Sequence, residues 1–198
     1  MAGIYIHIPF CKSRCKYCDF FSTTHIEKQA QYVEALLTEM QDRLPISNTH
    51  FPISTIYIGG GTPSTLQVEH LQTILETIKQ KATGEKQEIT LEANPGDITP
   101  EKARAWRELG INRLSIGVQS FDDELLQLIG RRHNAGQARQ AVTIAQEAGF
   151  DNISIDLMYA LPSQTMQQWQ SDVAQALQLG VQHISSYGLI YEEGTVLT

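Results

Sequence analysis

Polar and apolar residues alternate with a period of two in a series of short stretches. In the first, Ile4, Ile6 and Ile8 alternate with Tyr5 and His7. Farther along, Ile89 and Leu91 alternate with Thr90, Glu92 and Asn94; Leu114, Ile116 and Val118 with Ser115, Gly117 and Gln119; and Ile153, Ile155 and Leu157 with Ser154 and Asp156. A period of two marks β-strands with two unlike faces. Six segments of β character begin near Ile4, Thr55, Glu88, Arg113, Asn152 and His183, and each gap is long enough for a crossover helix. Within the gaps, "EKQAQYVEALLTEM", "VEHLQTILETIKQ" and "QQWQSDVAQALQLG" repeat their apolar residues at three and four, the helical period. Ser64 with Gln67 reads as a capping box, Thr99 before Pro100 as N-cap and first helical residue, and Ser163 as another N-cap. Gly110, Gly149 and Gly180 read as helix stops.

This βα period predicts an α/β fold. Parallel strands covered on both faces usually read as continuous apolar runs, and these do not. The aliphatic face must meet the helices, so the polar face must line a concave interior, where polar groups need water or a ligand. The expectation is a partial (β/α)6 TIM-like barrel with a wet lumen and its helices outside. A sheet whose polar face meets solvent is the alternative, disfavoured because parallel sheets are rarely left uncovered. No linker or composition break divides the chain, so residues 1–198 read as one domain.

Composition narrows the chemistry. The 22 acidic against 15 basic side chains give a net charge of −7, and no basic run offers a nucleic-acid surface. No apolar run approaches the roughly 18 residues of a membrane span, and the start lacks a signal peptide, which predicts a cytoplasmic protein. The three cysteines, Cys11, Cys15 and Cys18, fall within eight residues directly after the first strand. An odd, crowded set is a poor disulfide framework and a good candidate for metal. Zinc prefers four ligands, the fourth here being a distant residue such as His25. A 4Fe–4S cube held by three thiolates leaves one iron open to a small molecule's amino and carboxylate groups, and the spacing favours it. Lys12, Arg14 and Lys16, interleaved with the thiols, read as a solvated face.

The stretches "YIHIPFCKSRCKYCDF", "IYIGGGTPS", "LEANP", "RLSIGVQSF" and "IDLMYALP" together resemble the radical S-adenosylmethionine (SAM) superfamily. Within it they resemble the branch of oxygen-independent coproporphyrinogen III oxidases and haem chaperones. The likeness implies that Cys11, Cys15 and Cys18 hold a 4Fe–4S cluster and that SAM docks on its open iron. It places Tyr5 near the methionine end of SAM, the backbone around Tyr17 at adenine, and Gly59, Gly60, Gly61 and Thr62 at the cofactor's amino group. Glu92 is implied beside the cofactor, Gln119, Arg131 and Asp156 at the ribose or a second nucleoside, and Gly188 at a less defined position on the sixth strand. Glu92, Gln119 and Asp156 also lie on the polar face read from periodicity alone.

In the resembled oxidases a further cysteine follows the third by two positions, where this chain has Phe20, and an extended segment precedes the first strand. Both departures point to the haem-chaperone branch, with haem or porphyrin and a haem-acceptor protein as implied partners. Coproporphyrinogen oxidation, or radical chemistry on another substrate such as a tRNA base, is the alternative, and whether SAM is cleaved stays open. His7 reads as structurally hydrogen-bonded, His133 as a surface residue, and Met158 and Met166 as packing. The resemblance covers the N-terminal portion of such proteins, with their C-terminal cap missing. Apolar surface is therefore expected along the last strand and the helices beside it.

Overall fold

The computed structural model describes residues 2–44, 53–81 and 87–197. Among them six strands, β1 (Ala2–Ile8), β2 (Ile53–Gly60), β3 (Glu88–Ala93), β4 (Arg113–Gln119), β5 (Ile153–Tyr159) and β6 (His183–Gly188), form one sheet. Spatial order follows chain order, every neighbouring pair is parallel, and β1 and β6 remain as edges, so the barrel is open. Successive parallel neighbours joined by crossovers of one hand put the helices on a single face. The helices are α1 (Gln29–Arg43), α2 (Val68–Lys81), α3 (Pro100–Glu108), α4 (Asp123–Leu128), α5 (Ala135–Glu147) and α6 (Met166–Gln178).

The aliphatic alternates of the strands make the core. Ile58, Leu91, Ile116 and Ile155 pack with Ile74 and Ile78 of α2, Trp106 of α3, Val142 of α5 and Ala176 of α6 in one buried cluster. The polar face has two levels. Near its floor Thr90 and Ser154 are buried, and Arg113 donates to Thr90 Oγ1 at 3.3 Å. Toward the carboxyl ends of the strands the same face opens on a cavity of about 600 Å³. The predicted alternation thus holds, with its lower half closed by Thr90, Ser154 and Arg113.

Thr99 caps α3 by accepting the Lys102 N–H at 3.2 Å, and Gly110, Gly149 and Gly180 follow the helix ends with positive φ, as expected. Two caps lie elsewhere. Ser64 sits in a single-turn helix (Pro63–Thr65) and is buried, its hydroxyl turned to Asp97 rather than to a helix end. Ser163 has φ 63°, and α6 is instead capped by Thr165, which forms a capping box with Gln168. Periodicity also left α4 unseen between β4 and α5, although Asp122 caps it through the N–H groups of Glu124 and Leu125.

Met158 is buried with Leu125, Ile129 and Leu161, as expected, whereas Met166 opens α6 and is exposed rather than packed. Exposed Leu177 on α6, Tyr187 on β6, and Ile190 beyond it match the apolar surface expected near the last strand.

Candidate metal centre and cofactor cavity

The chain leaves β1 through Pro9 and buried Phe10 into a loop whose backbone is fixed from several sides. Cys11 N–H donates to Thr23 O at 2.9 Å, and Thr23 N–H returns to Pro9 O at 2.7 Å. Lys16 N–H donates to Ile129 O at 3.1 Å, and Leu197 N–H donates to Lys16 O at 3.2 Å. The chain after β2 closes the fourth side, with Gly61 N–H on Ile8 O and Thr62 N–H on Phe10 O, both at 2.8 Å.

Cys11, Cys15 and Cys18 are free thiols, and all three line the cavity. Thr62 Oγ1 donates to Cys11 Sγ and Arg131 Nη1 to Cys15 Sγ, each at 3.4 Å, donors that suit thiolate sulfurs. Burial pushes the Cys18 thiol up. Among the described residues no three His, Cys, Asp or Glu side chains converge as ligands of a single ion. His25, the distant ligand of the zinc alternative, is not part of the cavity wall; its Nδ1 meets Glu27 Oε1 at 2.9 Å.

The glycine segment forms the next wall. Glu92 on β3 accepts the Gly60 N–H at 3.0 Å and the Tyr57 hydroxyl at 2.8 Å. Burial raises the Glu92 pKa, and the Tyr57 and Gly60 bonds work against it. Gly60 has φ 117°, and a Cβ there would lie 2.7 Å from the His7 ring, so glycine alone fits. A Cβ on Gly61 would lie 2.8 Å from the Pro9 backbone and 3.0 Å from Cys11 Sγ.

The far wall comes from β4, β5 and β6. Arg131 donates to Gly117 O and reaches the Tyr17 hydroxyl at 3.4 Å, while its Nε is buried without a partner. Asp156 on β5 is pushed up to about 6, first by burial, then by the charge of Glu92, against the pull of Arg131 and Arg113. Tyr187 donates to Gln119 Oε1 at 2.7 Å, and burial pushes the Tyr187 hydroxyl up to about 12.

The cavity therefore gathers Cys11, Cys15, Tyr17, Cys18, Gly60, Gly61, Thr62, Glu92, Gln119, Arg131, Asp156 and Gly188, which lie far apart in the chain. Tyr5 and Gly59 lie outside its wall: Tyr5 is exposed, stacked on Tyr57 at 6.0 Å, and a Gly59 Cβ would meet Tyr57 and Glu92. His7 is hydrogen-bonded as expected, its Nε2 to Phe21 O at 2.9 Å. His133 is not on the surface; it is buried, with Nε2 on Val118 O at 2.9 Å, because the turn after α4 folds it beneath β4. Lys12 is not merely solvated, since it pairs with Asp97 at 2.6 Å. Tyr57 and Tyr187 were missed, although "IYIGGG" carries the same alternation that marked Tyr5.

A family match decides what this arrangement is. The Radical SAM superfamily matches residues 5–176.

The chain belongs to the radical SAM superfamily.

Membership implies a 4Fe–4S cluster and SAM, which the three thiols and the cavity they line fit. Among curated relatives, heme chaperone HemW of Bacillus subtilis is 43% identical over 201 residues, spanning 99% of this chain and 52% of that protein. Heme chaperone HemW of Escherichia coli is 37% identical, spanning 98% and 52%. The chain spans about half the length of these curated relatives. The solved coproporphyrinogen III oxidase HemN of Escherichia coli, a radical SAM enzyme, superposes with a TM-score of 0.88 at 29% identity, covering 96% of this chain and 44% of that one. No helix among the described residues is long and apolar enough to cross a membrane.

Proposed function

We propose that residues 1–198 form one radical SAM core that binds a 4Fe–4S cluster through Cys11, Cys15 and Cys18 and serves a HemW-like haem chaperone. The observation that carries this reading is the cavity itself, where three free thiols face the glycine segment and the polar ends of β3, β4 and β5. When bound and reduced, such a cluster supplies one electron to the SAM sulfonium.

The chain's own groups would hold and orient the cofactor. A SAM ammonium beside Gly60 would find the Glu92 carboxylate, and its positive charge would favour the ionised form that burial disfavours. The unpartnered Nε of Arg131 leaves donor capacity for a carboxylate or ribose oxygen, and Asp156 and Gln119 supply acceptors at the same wall. Tyr17 would close the side toward adenine, Gly188 lets the Tyr159 ring approach where a side chain would crowd it, and Tyr5 with Gly59 backs the wall through Tyr57.

Haem handling rests on the HemW relatives and on Phe20, exposed at the cavity mouth where the resembled oxidases carry a cysteine. A haem-acceptor protein is the matching partner, and a reducing cytoplasm suits three free thiols.

Anaerobic reconstitution with iron and sulfide, read by electron paramagnetic resonance with and without SAM, tests the core reading. The expected result is a reduced-cluster signal that changes on adding SAM; retained zinc, or a signal indifferent to SAM, overturns it. Haem titration then separates chaperone from oxidase: tight uptake without loss of carboxyl groups from coproporphyrinogen supports the first, and such loss supports the second, which the HemN likeness favours.

A further inference from the structure

One carboxylate outside the cavity connects to both segments that, among the described residues, donate a hydrogen bond to a cysteine sulfur. The Asp97 side chain is 0% exposed. Its Oδ1 accepts Lys12 Nζ at 2.6 Å, and its Oδ2 accepts Arg132 Nη2 at 3.0 Å and Ser64 Oγ at 3.1 Å. Each arm ends one or two residues from a thiol contact. Lys12 follows Cys11 directly. Ser64 stands two residues after Thr62, whose hydroxyl reaches Cys11 Sγ, and Arg132 follows Arg131, whose guanidinium reaches Cys15 Sγ. Asp97 touches no sulfur and does not line the cavity.

The base of this junction is rigid. Asp97 N–H donates to Asn94 O at 2.9 Å, Asn94 N–H donates to Ser64 Oγ at 3.1 Å, and Lys102 Nζ donates to Ser64 O at 2.8 Å. Burying an ionised carboxylate is costly unless its partners are well placed, and a buried ion cluster replaced as a whole by apolar residues of similar volume is commonly no less stable. A buried anion with two cations from separate loops is therefore poorly explained by stability alone. Two cations against one anion also leave a net positive charge at the foot of the thiol loop, where thiolates would gather negative charge.

We propose that Asp97 is a positioning residue for the cluster, setting Cys11 through Lys12 and Cys15 through the Arg131–Arg132 pair. The proposal rests on the cluster reading above and adds to it a residue that acts through others. Removing the charge of Asp97 weakens its hold on Lys12 and Arg132 without removing a ligand. Groups that orient metal ligands typically change metal affinity by roughly tenfold or more when lost, which sets the expected size.

The test compares the unsubstituted full chain with Asp97→Asn, Lys12→Met and Lys12→Arg in two measurements. One is the rate of Cys11 and Cys15 alkylation in the metal-free protein, resolved by peptide mass. The other is the rate at which a chelator strips iron after reconstitution. Asp97→Asn and Lys12→Met are expected to accelerate both by roughly tenfold, with Lys12→Arg restored to near the unsubstituted rate. Lys12→Met leaves Asp97 its bonds from Arg132 and Ser64 and removes a side chain that is 45% exposed, so it is the milder variant and decides alone where Asp97→Asn does not fold. Unchanged thiol reactivity and iron release in Lys12→Met, or a general loosening that also exposes core amides to hydrogen exchange, overturns the positioning role. Failure of the unsubstituted chain to assemble any cluster would instead sink the cluster reading, and the positioning role with it.

Discussion

Tyr187 on β6 reaches past β5 to donate its hydroxyl to Gln119 Oε1 at 2.7 Å at the end of β4. Gln119 holds φ 70° there, where the pairing of β4 with β5 shifts register. The bond ties an edge strand to the interior of the sheet and fixes the amide at the cavity wall. Tyr187→Phe leaves the buried Gln119 oxygen without this donor, a loss of about 1–3 kcal/mol. For a chain of this length that lowers Tm by roughly 2–4 °C per kcal/mol, readable by calorimetry. An unchanged Tm would show that the bond contributes nothing.

Glu92 accepts from both Gly60 N–H and Tyr57 OH; Glu92→Gln can keep its oxygen on Gly60 N–H and donate its NH2 to the Tyr57 hydroxyl, so what it removes is the negative charge. SAM affinity of the cluster-loaded protein should fall by roughly tenfold or more, the size of a lost charge-assisted hydrogen bond. Iron content should stay level, because Glu92 contacts no thiol. A parallel loss of iron and of SAM binding would place Glu92 in loop folding rather than in cofactor binding.

At Gly61 an added methyl meets the Pro9 backbone and Cys11 Sγ, neither of which is the free end of a flexible chain. Gly61→Ala therefore shifts the cysteine loop, at about 1–3 kcal/mol of overpacking, and lowers the iron retained after reconstitution. Full iron retention in that variant would mean that the loop yields easily.

His133 Nε2 faces the Val118 carbonyl, which only accepts, so that nitrogen carries the proton of a neutral imidazole. Burial, then Arg131 and Arg132, hold its pKa down to about 4, with Asp123 opposing. The unfolded value is about 6.5, so between the two the unfolded chain binds the extra proton and the native chain does not. The contribution is complete above the unfolded pKa and is lost as pH falls toward the folded one, on the order of 3 kcal/mol across the window. Asp156, pushed up to about 6, acts with the opposite sign, so the comparison must be internal. His133→Gln keeps an N–H for Val118, and its denaturant stability should fall less steeply from pH 6.5 to 4.5 than that of the unsubstituted chain. Equal slopes would acquit the imidazole.

The strands and their polar face were legible because a period of two survives without knowledge of partners. Glu92, Gln119 and Asp156 alternate against aliphatic neighbours on their own strands, and they converge in space on one cavity. Helix stops were legible for a similar local reason, since Gly110, Gly149 and Gly180 take positive φ directly after a helix. Ser64 and His133 misled because local chemistry competes with distant partners. Ser64 has an acceptor in Asp97, and His133 lies among charged neighbours yet finds a buried carbonyl on β4. Lys12 and Asp97 pair across 85 positions, a distance at which no periodicity reports.

The backbone of the cysteine loop is fastened across its own base, to the turn after α4, to the chain after β2 and to the segment beyond β6, by hydrogen bonds none of which passes through a thiol. Little ordering entropy is then left to lose when iron and sulfide enter, unlike in a zinc finger, where metal binding and folding are one event. Iron starvation would accordingly yield an empty but shaped receptacle, ready for refilling, rather than an unfolded chain committed to degradation.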